Sequence, residues 1–423
     1  MTEAPQRSQV DYEDLVREDQ VHGSLYYDPR VFEDELERIF YREWIYVGHE
    51  SEVSHPGDYH LKKIGRQPVI MTRDKQGEVH LLLNRCTHRG NELCQSEWGN
   101  SSHFRCPYHG WTFKNDGQLT GAPYRSGYDG ALDKDELGLG TVARVASYRG
   151  FVFGSMSPEG ISLDEHLGEL GKDAIDRLCE LSPEGEIELT AGWMRHRTLA
   201  NWKMMTENEV DGYHPLFVHK SLFEAMPTTM EEIFKDKGNS VIRDFGNGHT
   251  EIDMRPEYRN FGEKFAWFGV KEDKVAGYIG DLEQRHGKQR AHEMLVDGAP
   301  HVMIFPNLFL AELNVLQLQP VSPTETIQYQ TPVLLKGAPD MNKRILRNTE
   351  GAMGPAGSLI ADDSEMYERN QRGLEARSPE WMVLKRGLHR EEVESKGSIV
   401  SHHTDETTQR GIWRHYKKLM LEA

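Results

Sequence analysis

Four cysteines in 423 residues are too few to staple a fold of this length with disulfides. Basic residues are also in deficit: 50 Lys and Arg stand against 68 Asp and Glu, a net charge of -18. That balance excludes the positive surface that nucleic acid rewards. No long hydrophobic run is present either. The most apolar stretch, 302–318, is interrupted by Pro306, Asn307, Glu312 and Asn314, so it is no bilayer span. The opening MTEAPQRSQVDYEDLVRED is acidic and lacks the basic and apolar regions of an export signal. No fixed-period repeat occurs, which sets solenoids aside. These absences predict a soluble cytoplasmic protein with neither nucleic acid nor membrane as partner. The length predicts two or three domains.

What is present is a pairing of cysteine with histidine. Cys86-Thr-His88 and Cys106-Pro-Tyr-His109 each offer one thiolate and one imidazole, and 17 residues separate His88 from Cys106. Structural zinc sites usually pair Cys with Cys and His with His, so mixed pairs point elsewhere. In a Rieske [2Fe–2S] centre two histidines replace two cysteines on one iron. Gly90 and Gly110 permit tight backbone beside each pair. Cys94 and Cys179 have no such spacing and read as small core residues, and His103 reads as a surface or loop histidine.

A second cluster lies in 201–219, NWKMMTENEVDGYHPLFVH, with Asp211, His214 and His219 inside nine residues. Two imidazoles and one carboxylate with open positions form the ligand set of an oxygen-activating non-haem Fe(II) site. Read as a helix, the stretch puts Asp211 and His214 on one face, and Pro215 breaks it so that His219 swings to the same point. Asp362-Asp363 is a further source of carboxylate. A zinc hydrolase could use the same donors but gives no reason for the first pair of loops.

Periodicity supplies the frame. Residues 31–44 read as an amphipathic helix. Strands are expected at 59–64, 67–72 and 79–83, with a hairpin at Asn115-Asp116-Gly117 and a closing strand at 150–154. Helix returns over 163–179, strand over 188–201, and 240–260 and 300–335 read as strand-rich. Residues 362–376 and 404–421 read as helices. The resulting division is 1–44, a helical segment; 45–155, a small antiparallel β domain; and 156–423, an α+β domain.

The segments CTHRG (86–90), CPYHGWTF (106–113), D-x-x-H-x4-H (211–219) and GPAG before Asp362-Asp363 together resemble the catalytic α subunit of Rieske non-haem iron aromatic-ring-hydroxylating oxygenases. The resemblance implies a Rieske β domain inserted into a helix-grip catalytic domain. By it, Cys86, His88, Cys106 and His109 hold a [2Fe–2S] cluster, and His214, His219 and Asp363 hold mononuclear Fe(II). Asp211 is then no ligand but a link from a neighbouring subunit's Rieske histidine to His214. Asn208, three residues before Asp211, is either a group facing the open side of the iron or an ordinary polar helix residue. The implied reaction is cis-dihydroxylation of an aromatic substrate, aromatic acids included, with O2 and electrons from NAD(P)H through a ferredoxin or flavin reductase. Monohydroxylation and oxidative demethylation use the same site; a bare Rieske electron carrier is the reading of another class. The implied assembly is a head-to-tail homotrimer, with or without a small β subunit.

Weaker expectations complete the reading. Phe305, Leu308, Phe309, Leu310, Leu313, Leu316 and Leu359 are candidates for an apolar pocket, Tyr213 packs beside the site and Trp202 is core. Relatives that act on aromatic acids often carry arginine late in the sheet or before the last helix. Here those places hold Leu316-Gln317 and Ser401-His402-His403-Thr404, while the C-terminal TDETTQRGIWRHYKKLM resembles the single-ring and aromatic-acid branch. Arg255, Arg259 and Arg410 are candidate anion anchors, but surface or helix pairing is the role expected of each. Arg85, Arg89, Arg105 and Lys114 make the Cys/His loops basic, suited to an acidic ferredoxin.

Overall fold

The structure, a computed structural model, describes residues 10–225, 238–354 and 357–422. Residues 40–166 with 188–190 form one compact unit, and the rest of the described chain forms another.

The smaller unit is built from short antiparallel strands. Ile45–His49 (β1), Asp58–Ile64 (β2), Gln67–Arg73 (β3), Val79–Leu83 (β4), Trp98–Asn100 (β5), His103–Arg105 (β6), Thr112–Lys114 (β7), Leu119–Gly121 (β8), Arg144–Tyr148 (β9) and Phe151–Ser155 (β10) make three sheets, ordered β4-β3-β2-β5, β8-β7-β6 and β9-β10-β1. The 74–77 turn and the Asn115-Asp116-Gly117 hairpin close where turn chemistry places them, and Gly117 takes a φ of 87° that a side chain would resist. Ile70, Leu82, Phe104, Trp111, Phe113 and Leu119 pack beneath the two Cys/His loops. Cys94 lies in that core, Cys179 is buried, and His103 is exposed on β6.

In the larger unit Met194–Thr198 (β11), Val241–Asp244 (β12), Thr250–Asp253 (β13), His301–Ile304 (β14), Leu308–Ala311 (β15), Asn314–Ser322 (β16), Glu325–Pro332 (β17), Glu392–Val393 (β18) and Ile399–His402 (β19) form one antiparallel sheet. Its order is β11-β17-β16-β15-β14-β13-β12-β19-β18. The helices that matter for the site are Pro29–Glu35 (α1), Trp202–Asn208 (α2), Pro215–Val218 (α3), Ile360–Gly373 (α4) and Thr407–Leu421 (α5). The last lies against β12 and β13 with Ile412, Trp413, Tyr416 and Met420 buried. That is the mixed helix and antiparallel-sheet architecture of a helix-grip domain.

Several local expectations change. The strand expected over 188–201 is split into Ile187–Glu188 and β11, with Gly192 between them at a left-handed φ of 92°. The strand-rich 240–260 segment ends at Asp253, and Arg255–Phe261 is a helix started by Pro256 in its first turn. The 163–180 helix is interrupted at Gly168, whose φ is 61°.

A buried ion pair ties α1, α2 and α5 together. Lys203 Nζ donates to Glu35 Oε1, Trp202 Nε1 to Glu35 Oε2 at 2.8 Å, and Tyr416 Oη to Glu35 Oε1 at 2.8 Å. Glu35 and Lys203 are both fully buried, and Trp202 is core, as its pattern predicts. Deleting one partner strands the other charge, so Glu35→Leu is expected to cost about 3–5 kcal/mol in urea unfolding. Glu35→Leu with Lys203→Met is expected to recover most of that loss. Equal instability in single and double variants would assign the cost to packing instead.

Candidate active site

The 201–219 stretch is not one helix. Asn201 caps α2, its side chain accepting from Lys203 N at 3.1 Å, and α2 ends at Asn208. Residues 209–214 are turn and bend. Asp211 and His214 therefore meet through a tight turn rather than on a helix face. Asp211 Oδ1 accepts from Tyr213 N at 2.8 Å, and Asp211 Oδ2 lies 3.2 Å from His214 Nδ1. Gly212 is required by space: a Cβ there would sit 2.3 Å from the His403 carbonyl oxygen. Pro215 does not break a running helix. It starts α3 at a position where no backbone donor is needed, and His219 closes that turn, its N–H donating to Pro215 O at 3.0 Å.

Asp363 comes from the first turn of α4. Its Oδ1 lies 3.4 Å from His214 Nε2 and 3.3 Å from His219 Nε2. Ligands held about 2.1 Å from one metal at angles between right and tetrahedral are separated by about 3.0–3.4 Å. The donor set and its spacing fit a metal ion in the two-His, one-carboxylate manner. Burial pulls His214 down, but its hydrogen bonds to Asp211 and Asp363 and their charges win, pushing it up to about 10. Burial raises Asp363, yet the hydrogen bonds from His214 and His219 hold it well below the usual carboxylate range. The Asp363 carboxylate and the His214 imidazole each favour the other's charged form, a role a bound cation would take over. Asn208 donates to Asp363 Oδ1 at 3.2 Å and to Tyr367 Oη at 3.1 Å. Asp362, expected to be a helix-start neighbour, brings its Oδ2 to 3.7 Å from His219 Nδ1.

The two Cys/His loops, in the smaller unit, are closed by the same pair of hydrogen bonds. Cys86 N donates to Asn91 O and Gly90 N to Cys86 O, each at 2.8 Å. In the second loop Cys106 N donates to Trp111 O at 2.8 Å and Gly110 N to Cys106 O at 3.0 Å. Gly90 and Gly110 take φ of 70° and 73°, which a side chain resists. Burial, with the Cys106 thiol beside it, pushes the Cys86 thiol up. The His88 and His109 rings are 4.7 Å apart, and His88 Nδ1 is buried with no protein partner. Two thiols, two imidazoles and an orphaned ring nitrogen fit a Rieske cluster.

Residues 43–148 match the Rieske [2Fe-2S] domain family, and residues 186–421 match the catalytic domain of the ring hydroxylating alpha subunit. The chain belongs to the Rieske ring-hydroxylating oxygenase α subunits. Among relatives of this oxygenase, the toluate 1,2-dioxygenase subunit alpha of Pseudomonas putida is 32% identical, with 86% of this chain and 83% of that one covered. The N,N-dimethyl phenylurea N-demethylase subunit alpha of a Sphingobium species is 33% identical, covering 93% and 90%. The crystal structure of naphthalene 1,2-dioxygenase from a Rhodococcus species bound to indole aligns with a TM-score of 0.82 at 28% identity, covering 95% and 94%.

The oxygenase has a cavity of about 760 Å³ bordered by His214, His219 and Asp363. Of the expected pocket residues Phe309 and Leu359 line it, while Phe305, Leu308, Leu310, Leu313 and Leu316 are core. Strand alternation explains the split: Phe309 and Ala311 share the face that looks into the cavity, and Leu308 and Leu310 take the other. Other wall residues carry no sequence signal of their role beyond the aromatic density of the FAWFGV run, among them Phe265 and Trp267 from that run, His301, and the acids Glu209 and Glu312. Burial pushes Glu312 up to about 7, and burial with the Asp363 charge pushes Glu209 up to about 8.

The three candidate arginines are paired, as expected of each. Arg255 is held by Asp253, Arg259 by Asp297, and Arg410 by Glu391 and two backbone carbonyls, and none of them lines the cavity. Tyr213 packs edge-on to Phe217 and under the Arg386 guanidinium, and is 44% exposed. Pro355 and Ala356 of the GPAG segment lie outside the described residues.

Proposed function

We propose that the oxygenase is the terminal component of an aromatic-ring dioxygenase system, cis-dihydroxylating its substrate with O2 and electrons passed from NAD(P)H by a ferredoxin or flavin reductase. The observation that carries the reading is the convergence of His214, His219 and Asp363 on a large cavity, in a chain that also builds two matched Cys/His loops. In this reading Cys86, His88, Cys106 and His109 hold the cluster, and His214, His219 and Asp363 hold the iron. When bound, the iron would supply O2 activation and the cluster would supply single electrons to it. Asp211 accepts from His214 Nδ1–H, which fixes the tautomer that leaves Nε2 free for the metal. Asn208 steadies Asp363 through its carboxylate oxygen.

A head-to-tail homotrimer, with or without a β subunit, completes the reading, in the cytoplasm. It is supported by two surfaces: His109 and Tyr108 are exposed at the cluster loops, and the Asp211 side chain is 22% exposed beside exposed Tyr213 and Phe217. Arg85, Arg89, Arg105 and Lys114 are all exposed around the loops. Reduction of the cluster by an acidic ferredoxin is therefore expected to slow steeply as salt rises. A rate indifferent to ionic strength would remove these residues from the docking surface.

The test is single turnover. Chemically reduced protein meets O2 and a panel of monocyclic and bicyclic aromatics, and products are read by mass. A gain of two oxygens and two hydrogens is expected. Loss of a methyl group would favour the second reading, oxidative N-demethylation, which the Sphingobium relative supports. No product, with the third iron absent from freshly prepared protein, would sink both and favour a bare electron carrier.

A further inference from the structure

We infer that Arg386 is a positioning residue for electron transfer: its guanidinium, stacked on Tyr213, holds the turn that carries Asp211. The inference rests on the oxygenase reading above and deepens it, because Asp211 is the link in that reading. Residues 209–214 lie outside helix and strand, so their position is set by what packs on them. The C-terminal part of the chain supplies that packing. From the first turn of α5, Thr408 Oγ1 donates to Val210 O at 2.8 Å and Gln409 Nε2 to Glu207 O at 3.0 Å. Both carbonyls lie at or just past the end of α2, where a helix leaves its last acceptors unanswered. Gly212 lies against the His403 carbonyl.

Tyr213 is met by Arg386, whose Cζ lies 4.1 Å from the ring centroid, within range of a cation–π contact. The guanidinium is itself fixed: Nε donates to Thr404 O at 2.5 Å and Nη2 to Thr404 Oγ1 at 3.2 Å. So is the backbone beneath it. Arg386 O accepts from Arg410 Nη1 at 2.9 Å, and Arg386 N donates to Glu406 Oε2 at 2.8 Å. A planar cation prepared in this way loses little freedom by stacking. The backbone N–H of Tyr213 then orients Asp211 through Oδ1, while Asp211 Oδ2 faces His214 Nδ1. Contact therefore runs from Arg386 through Tyr213 and Asp211 to His214. The ring's other aromatic neighbour, Phe217, is 70% exposed and gives a weaker hold.

The test uses the full chain with both iron centres loaded. Hydrogen exchange read by mass spectrometry follows the 209–214 turn. Rapid mixing of reduced protein with O2, and with the aromatic that yields most product in single turnover, follows oxidation of the cluster by its visible bands. Arg386→Met and Tyr213→Leu are each expected to speed exchange in the turn and to slow cluster oxidation about ten-fold, the lower end of what partners of metal-bound histidines contribute. The double variant is expected to be no slower than either single one. Tyr213→Phe, which keeps the ring and the N–H, is expected to behave as the parent. Iron content and affinity for the aromatic stay unchanged, so kcat falls and KM does not move. Cluster oxidation at the parent's rate in Arg386→Met, Tyr213→Phe as slow as Tyr213→Leu, exchange spreading into the sheet, or an altered oligomer would overturn the inference. Exchange needs neither O2 nor an aromatic, so the two readings fail separately. A loosened turn in a protein that oxygenates nothing would sink the oxygenase function and keep Arg386 as the residue that holds Asp211.

Discussion

Asp211→Asn is expected to keep both iron centres and to lose coupled turnover by about 100-fold or more, the upper end of what partners of metal-bound histidines usually contribute. The reason lies in how the carboxylate is used. One oxygen accepts from Tyr213 N and the other faces His214 Nδ1. Both partners are donors when His214 presents Nε2 to the metal. An asparagine has one acceptor and one donor end, so it satisfies one of them and opposes the other. The negative charge that stabilises the ring is lost as well. Since the three metal-facing atoms belong to His214, His219 and Asp363, the iron stays. Iron content and the Rieske spectrum of the variant are expected to match the parent, while product formed per electron collapses. Loss of the mononuclear iron in this variant would make Asp211 a ligand in fact and overturn its role as a link.

Asp363→Ala should have the opposite signature: mononuclear iron lost, Rieske cluster intact, and no oxygenated product. Asp363 supplies the carboxylate nearest both Nε2 atoms. The adjacent Asp362 reaches only the far nitrogen of His219, at 3.7 Å, and is 40% exposed, so it is badly placed to substitute. Two neutral imidazoles remain, and a hard divalent iron with no anionic ligand is weakly held. The cluster loops draw all their donors from residues 86–109 and do not depend on Asp363. The checks are total iron and visible absorption: about one third of the iron should go while the cluster bands stay, the cluster accounting for two irons. Full iron content in Asp363→Ala would move the carboxylate ligand elsewhere.

The parts of this site legible in the sequence are those in which chemistry imposes residue type and spacing together. Cys-x-His and Cys-x-x-His loops need both donors within one tight turn, so they survive as local patterns, and the loop glycines mark the left-handed backbone that closes them. The two histidines of 214–219 are visible for the same reason. The path between Asp211 and His214 is not legible, because three-residue spacing suits a helix and only the His403 carbonyl beside Gly212 shows why the chain turns there instead. The cavity was the least legible. Its wall is assembled from α2, the 263–271 segment, the β15–β16 turn and α4, elements distant in sequence. The residues singled out beforehand were the most apolar ones, which is why most of them proved to be core. The acids of the wall were overlooked because an isolated glutamate in sequence signals nothing until its surroundings are known.

An oxygenase of this kind needs two separate iron centres in one chain. Mössbauer spectroscopy of reduced, iron-57-loaded protein measures this directly. The result expected is three irons per chain: an antiferromagnetically coupled pair with inequivalent sites, from a cluster with two thiolates on one iron and two imidazoles on the other, and one isolated high-spin Fe(II) whose signal shifts when substrate is added. Only the coupled pair, in freshly prepared protein with His214, His219 and Asp363 unaltered, would contradict it and leave the chain an electron carrier.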